Sequence, residues 1–255
     1  MKKYLDINAA TGYKSPSQII RVLTENWVAR QVFCPSCGVG ISKYEHNRPV
    51  ADFYCPICKE EYELKSKADT IGQRMVNGAY KVMIERLMSN NNPHFFLLAY
   101  SRQNYEVLNF FVVPKYFFIP EIIEKRTPLS KQARRAGWVG CNIILKSIPQ
   151  AGKIFYIRDK KILPKSVILE SWGKTLFLAK QPITAERGWI FDVMKCIDRL
   201  GKKEFVLSEI YAFEDELKSK HPCNMHIRAK IRQQMQILRD GGYLKFLSRG
   251  NYRLV

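Results

Sequence analysis

Long apolar runs are missing from this chain of 255 residues. No stretch approaches the roughly 20 apolar residues that a membrane-spanning helix needs, and the opening MKKYLDINAATGYKS lacks the apolar segment of a secretion signal. A soluble, cytoplasmic protein with no membrane partner is therefore expected. Acidic residues are scarce as well, with 23 Asp and Glu against 42 Lys and Arg for a formal charge of +19. Such an excess argues for a polyanionic partner, of which nucleic acid is the commonest. The seven cysteines come without a secretion signal, which argues against disulfides and for free thiols or metal ligation.

Four of those cysteines are paired by spacing. Cys34-Pro-Ser-Cys37 and Cys55-Pro-Ile-Cys58 lie 17 residues apart, the pattern of a four-cysteine zinc ribbon or knuckle. Two intervening residues let both thiolates of a pair face one tetrahedral ion at about 2.3 Å. Four sulfur ligands close the coordination sphere, so the expected Zn²⁺ is structural. Cys141, Cys196 and Cys223 stand alone and read as small buried side chains.

The second pair sits between the arms of a β-hairpin predicted over Pro49 to Lys67, PVADFYCPICKEEYELKSK. Period two sets Val50, Asp52 and Tyr54 on one face going up and Glu63 and Lys65 on one face coming back. Asp52 and Glu63 are suited to holding Mg²⁺ against a scissile phosphate, since magnesium prefers carboxylate oxygen, water and phosphate oxygen. Lys65 would orient or help deprotonate the attacking water and offset the developing charge. An acid followed by Glu-x-Lys is common on solvated strands, so the spacing alone does not establish this chemistry.

Around the hairpin the pattern is that of an α/β domain. Ser15 to Arg30 reads as a helix on which Glu25 is either within reach of a metal site or, the favoured reading, an exposed charge, and Thr70 to Asn90 reads as a second helix. His94 to Tyr100 and Tyr105 to Val113 read as central strands, and segments near Asn142 to Leu145 and Lys153 to Arg158 are expected to extend their sheet. Gln73 is expected at the surface. In TPLSKQARRAGWVGCN, Arg134 and Arg135 suit DNA backbone contact. Trp138 suits either stacking near a base or core packing.

A domain boundary is expected near Gln181, giving domains 1–182 and 183–255. The second carries 14 basic against 9 acidic residues, so both halves are basic. Helix (Gly188 to Leu200), strand (Glu204 to Leu207), a helix from Ser208, helix (Asn224 to Asp240) and two short strands is the order of a winged helix. On the third helix Ile227, Ile231, Met235 and Leu238 form an apolar face. Arg228, Arg232, Gln233 and Gln236 lie on other faces, where arginine and glutamine can read guanine and adenine in the major groove. Arg249 at the wing tip is placed for a phosphate.

The order of helix, Cys-x2-Cys, NRPVADFYC, the second Cys-x2-Cys, ELKSK, ARRAGW, GCN and a winged helix with KIRQQ and LRD resembles the methyl-directed restriction endonucleases of the DpnI type over essentially the whole chain. The resemblance implies a PD-(D/E)xK nuclease domain with an inserted zinc site and a small C-terminal winged helix. It implies Mg²⁺-dependent cleavage of double-stranded GATC carrying N6-methyladenine; a monomer is expected, although the residues do not fix the oligomeric state. It further implies Asp52, Glu63 and Lys65 as the catalytic set, Cys34, Cys37, Cys55 and Cys58 as zinc ligands, and Trp138 near the methylated base. The chain departs from the signature at the proline, which stands three residues before Asp52. A non-catalytic zinc-ribbon regulator and a structure-specific repair nuclease remain the alternatives.

Overall fold

The computed structural model describes residues 1–45, 51–89, 91–181 and 185–255. Pro49, Val50 and the residues 182–184 at the expected domain boundary lie outside them. The chain forms two compact units, one of residues 1–146 and 152–173, the other of residues 147–151 and 174–255.

The first unit runs α1 (Pro16–Gln31), β1 (Ser42–Lys43), β2 (Phe53–Tyr54), β3 (Glu61–Ala68), β4 (Arg74–Ala79), α2 (Tyr80–Met88), β5 (His94–Tyr100), β6 (Val107–Val113), β7 (Ile123–Lys125), β8 (Gly140–Ile144), β9 (Ile154–Arg158), β10 (Lys161–Ile162) and α3 (Lys165–Gly173). A seven-stranded sheet has the order β1-β2-β3-β5-β6-β9-β10. Its neighbours are antiparallel except for β3 and β5, which run parallel from Tyr62↔His94 to Ala68↔Tyr100. That parallel pair requires a crossover, and β4 with α2 supplies it.

β5 is buried at every position, the pattern of a central strand covered on both faces. One face packs Tyr62, Phe96, Leu98, Phe110 and Tyr156 against Leu23, Trp27 and Val28 of α1. Tyr62 and Phe96 stack at 4.6 Å, and Trp27 meets Phe110 edge-on at 5.2 Å. Each such side chain contributes about 1.5–3 kcal/mol of burial, so α1 is held firmly over the strands that carry the expected site.

The structure corrects several sequence expectations. The helix expected over Thr70 to Asn90 is helical only in its second half. Its first half is β4, paired antiparallel with β8 from Arg74↔Ile144 to Ala79↔Gly140. Gly72 and Gly78 weaken a helix by about 1 kcal/mol each relative to alanine, so a partner strand prevails. Met75 is buried while Val76 is 59% exposed, which is the period of a strand. The segment near Asn142 does not extend the large sheet. It is the middle strand of a separate sheet, β4-β8-β7, and β10 takes the edge beside β9 instead. Cys141 and Cys196 are buried as expected, but Cys223 is exposed.

The second unit runs α4 (Ala185–Leu200), β11 (Glu204–Val206), α5 (Leu207–Tyr211), α6 (Glu214–Lys220), α7 (Ile227–Asp240), β12 (Leu244–Ser248) and β13 (Asn251–Leu254), with the small sheet β11-β13-β12. This is the winged-helix order. The expected helix from Ser208 is broken into α5 and α6, and its start is closed by Glu209, whose carboxylate accepts the Val206 N–H at 2.9 Å. Helix α7 buries Ile227, Ile231, Met235 and Leu238 as expected, together with Gln234.

Candidate active site and metal centre

The two Cys-x2-Cys turns are built alike. In the first, the Cys34 N–H donates to the Val39 carbonyl and the Gly38 N–H to the Cys34 carbonyl; in the second, Cys55 donates to Glu60 and Lys59 to Cys55. Each turn needs a left-handed residue directly after its second cysteine, Gly38 at φ 77° and Lys59 at φ 61°. The turns bring Cys34 Sγ within 3.4 Å of Cys58 Sγ and Cys37 Sγ within 3.4 Å of Cys55 Sγ, and all four sulfurs lie within 4.8 Å of one another. A tetrahedral Zn²⁺ with bonds of about 2.3 Å sets its sulfurs about 3.8 Å apart. Number, softness and spacing of the donors therefore fit a structural zinc.

Long-range contacts fasten both turns to the sheet. Tyr62 on β3 places its hydroxyl 3.1 Å from Cys34 Sγ, Tyr156 on β9 donates to the Phe33 carbonyl at 2.8 Å, and Lys165 donates to the Gly38 carbonyl at 2.6 Å. Beside the second turn, Glu60 Oε2 accepts from His94 Nε2 at 2.8 Å and from Lys115 Nζ at 2.9 Å. His94 Nδ1 accepts the Lys115 backbone N–H at 2.9 Å, so the ring proton sits on Nε2. Burial pushes the His94 imidazolium down, leaving it a neutral donor. Burial works against the Glu60 carboxylate too, but the His94 and Lys115 bonds outweigh it and hold the group at about 2. Lys115 is thus the ionic partner, and His94 a neutral hydrogen-bond donor.

The nuclease-like residues lie at the base of the hairpin. The pairing Phe53↔Tyr62 sets Asp52 opposite Glu63 one step further along. Asp52 donates its N–H to the Tyr62 carbonyl at 3.0 Å, and its Oδ2 accepts the Leu64 N–H at 2.7 Å. Lys65 Nζ is 2.6 Å from Glu63 Oε1, as side chains two apart on one strand should be. Asp52, Glu63 and Lys65 line a pocket of about 530 Å³ together with Arg21, Glu25 and Tyr100.

Glu25 is not the exposed charge that the sequence favoured but lies in the pocket. It is only 7% exposed, with Oε2 2.7 Å from Lys43 Nζ and Oε1 3.5 Å from Arg21 Nε. Its position three residues before buried Val28 sets it on the edge of the apolar stripe of α1, and that edge was the available signal. Gln73 is exposed, as expected. Burial raises the Asp52 carboxyl above its ordinary range; the Leu64 N–H opposes this, Glu63 and Glu25 add to it, and Lys65 partly offsets them. A half-buried carboxylate beside two others, with a single backbone donor on it, is a hard-oxygen donor set suited to a divalent cation. These carboxylates are less tightly gathered than the sulfurs. Among the described residues, the cysteines are the one group of three or more candidate ligands within 4.8 Å of one another.

In the loop before β8, Trp138 is half-buried rather than in the core. The Arg135 guanidinium lies 4.8 Å over its ring, and Gly140 sits so close that an added Cβ would meet the indole at 2.8 Å. Arg134 and Arg135 are exposed. On α7, Gln233 and Gln236 are exposed. Arg228 pairs with Glu214 at 2.7 Å, and Arg232 donates to the Tyr211 hydroxyl at 3.0 Å. Arg249 is exposed in the turn between β12 and β13, where Gly250 takes φ 76°.

A mixed sheet bearing an Asp…Glu-x-Lys pocket and a four-cysteine cluster that fits zinc, with a winged helix after it, defines a class of α/β nucleases with their own DNA-binding module. Comparison with known families agrees. Residues 1–181 match DpnI, the Dam-replacing family, and residues 185–254 match its Dam-replacing HTH domain. The chain belongs to the Dam-replacing family of DpnI-like methyl-directed endonucleases.

Proposed function

We propose that the protein is a type II restriction endonuclease that hydrolyses double-stranded DNA at GATC sites carrying N6-methyladenine, with Asp52, Glu63 and Lys65 as its catalytic set. The observation that carries this reading is the pocket itself: Asp52, fixed by the Leu64 N–H, stands opposite Glu63 with Lys65 alongside. Asp52 and Glu63 would hold Mg²⁺. When bound, the ion polarises the scissile phosphate and acidifies a water ligand. Lys65 orients the attacking water, helps remove its proton and offsets the charge that grows on the phosphate as the bond to the leaving oxygen breaks. The four cysteines hold Zn²⁺ as a structural ion with no position left for substrate.

Arg134, Arg135 and Arg249 contact phosphates. Arg228, Arg232, Gln233 and Gln236 face the major groove, and Trp138 supplies a flat apolar wall for the adenine methyl group. Burying one methyl is worth only about 0.8 kcal/mol, so reading it in both domains multiplies the discrimination. The enzyme acts as a monomer in the cytoplasm, on methylated duplex and without a membrane. The test is incubation of plasmid from adenine-methylating and non-methylating hosts with the protein, with and without Mg²⁺. Cutting of the methylated plasmid alone, and only with Mg²⁺, is expected; equal cutting of both, or of neither, would overturn the methyl-directed reading.

A further inference from the structure

We infer that Tyr62 is a positioning residue that ties the metal cluster to the catalytic hairpin, its hydroxyl holding the Cys34 sulfur while its backbone holds Asp52. This rests on the reading of the four cysteines as a metal site. The Tyr62 ring is fully buried, stacked on Phe96 at 4.6 Å, and its hydroxyl reaches 3.1 Å from Cys34 Sγ. A metal-bound thiolate has no proton, so the phenol O–H is the donor and the sulfur the acceptor. The same residue accepts the Asp52 N–H on its carbonyl at 3.0 Å and directly precedes Glu63. One residue therefore touches the cluster with its side chain and Asp52 with its backbone. Outer partners of this kind orient metal ligands and tune their donor strength. Tyr156 and Lys165 hold only main-chain carbonyls of the first turn, whereas Tyr62 holds a ligand atom.

The consequence is a coupling. With the thiolate anchored to Tyr62, the cluster fixes where β3 starts relative to β2, and hence how Asp52 faces Glu63. Tyr62→Phe removes the hydroxyl and leaves the ring stack, so the fold is retained, as circular dichroism would verify. The test uses the full chain stripped of metal and reloaded with Co²⁺, comparing wild type with Tyr62→Phe. A hydrogen bond to a thiolate lowers the energy of its lone pair, so its loss should move the sulfur-to-cobalt charge-transfer band to longer wavelength while the tetrahedral d–d bands keep their intensity. Cobalt affinity in competition with a chelator should fall by about tenfold, the lower end for outer-shell partners. In the zinc-loaded variant kcat should fall several-fold at an unchanged KM for DNA. An identical charge-transfer band and affinity, or an unchanged kcat, would overturn the inference alone. Failure of both proteins to take up cobalt would overturn the metal reading and the inference with it.

Discussion

Leu64 donates its backbone N–H to Asp52 Oδ2 at 2.7 Å, across a hairpin whose regular pairing has already ended at Phe53↔Tyr62. The bond links two residues twelve apart and fixes the carboxylate between Glu63 and Lys65 on the chain. Asp52 is still costly to ionise, because burial and two neighbouring carboxylates outweigh this one backbone donor.

A stability prediction follows from that cost. The folded Asp52 carboxyl titrates above its ordinary value of 3.8, so the folded state binds this proton more readily than the unfolded state. Ionised Asp52 therefore subtracts stability at every pH above its folded value, and the penalty vanishes as pH falls below 3.8. Asp52→Asn keeps an oxygen for the Leu64 N–H. It should melt higher than wild type at neutral pH in metal-free buffer, the gap closing on acidification, while cleavage falls by at least about a hundredfold. Thermal melts at several pH values together with plasmid cleavage check both halves.

Glu60 has the opposite sign. Its carboxylate is held down at about 2, so the stability it supplies is present above the ordinary value of 4.5 and is lost as pH falls through that window. Glu60→Ala would leave the His94 Nε2–H buried without an acceptor, at a cost of about 2 kcal/mol. For a chain of this size that is a fall in Tm of about 5 °C, measurable by calorimetry at neutral pH.

Gly140→Ala tests Trp138 without removing it. The new methyl would sit where the indole now lies, 2.8 Å from two of its ring carbons, and must displace the ring. The variant should lose discrimination between methylated and unmethylated plasmid to the same extent as Trp138→Ala. Retained discrimination in both variants would remove Trp138 from methyl reading.

Arg249 stands exposed on the wing tip. If it neutralises one phosphate, Arg249→Ala should reduce the slope of log affinity against log salt by about one and weaken all DNA sequences alike. Fluorescence anisotropy over a salt series measures this.

Features fixed by neighbours in the chain were legible in advance. Cys-x2-Cys spacing determines its own turn geometry, the alternation in Glu63-Leu64-Lys65 places both charges on one side, and the third helix of the winged domain carries its apolar face in its own periodicity. Features decided by distant partners were not. Arg74 to Ala79 became a strand because β8 lies beside it, and no local signal outweighed the apolar spacing that suggested a helix. Glu25 is buried through its contact with Lys43 on β1, a residue 18 positions away. Tyr62 and His94 are joined to the cysteine turns only by the sheet register.

The most direct test of the central claim is Lys65→Ala in the zinc-loaded protein, assayed side by side for binding and cleavage of a duplex containing methylated GATC in the presence of Mg²⁺. The account predicts binding within a few-fold of wild type with cleavage abolished. Cleavage of that duplex by Lys65→Ala at the wild-type rate would contradict it.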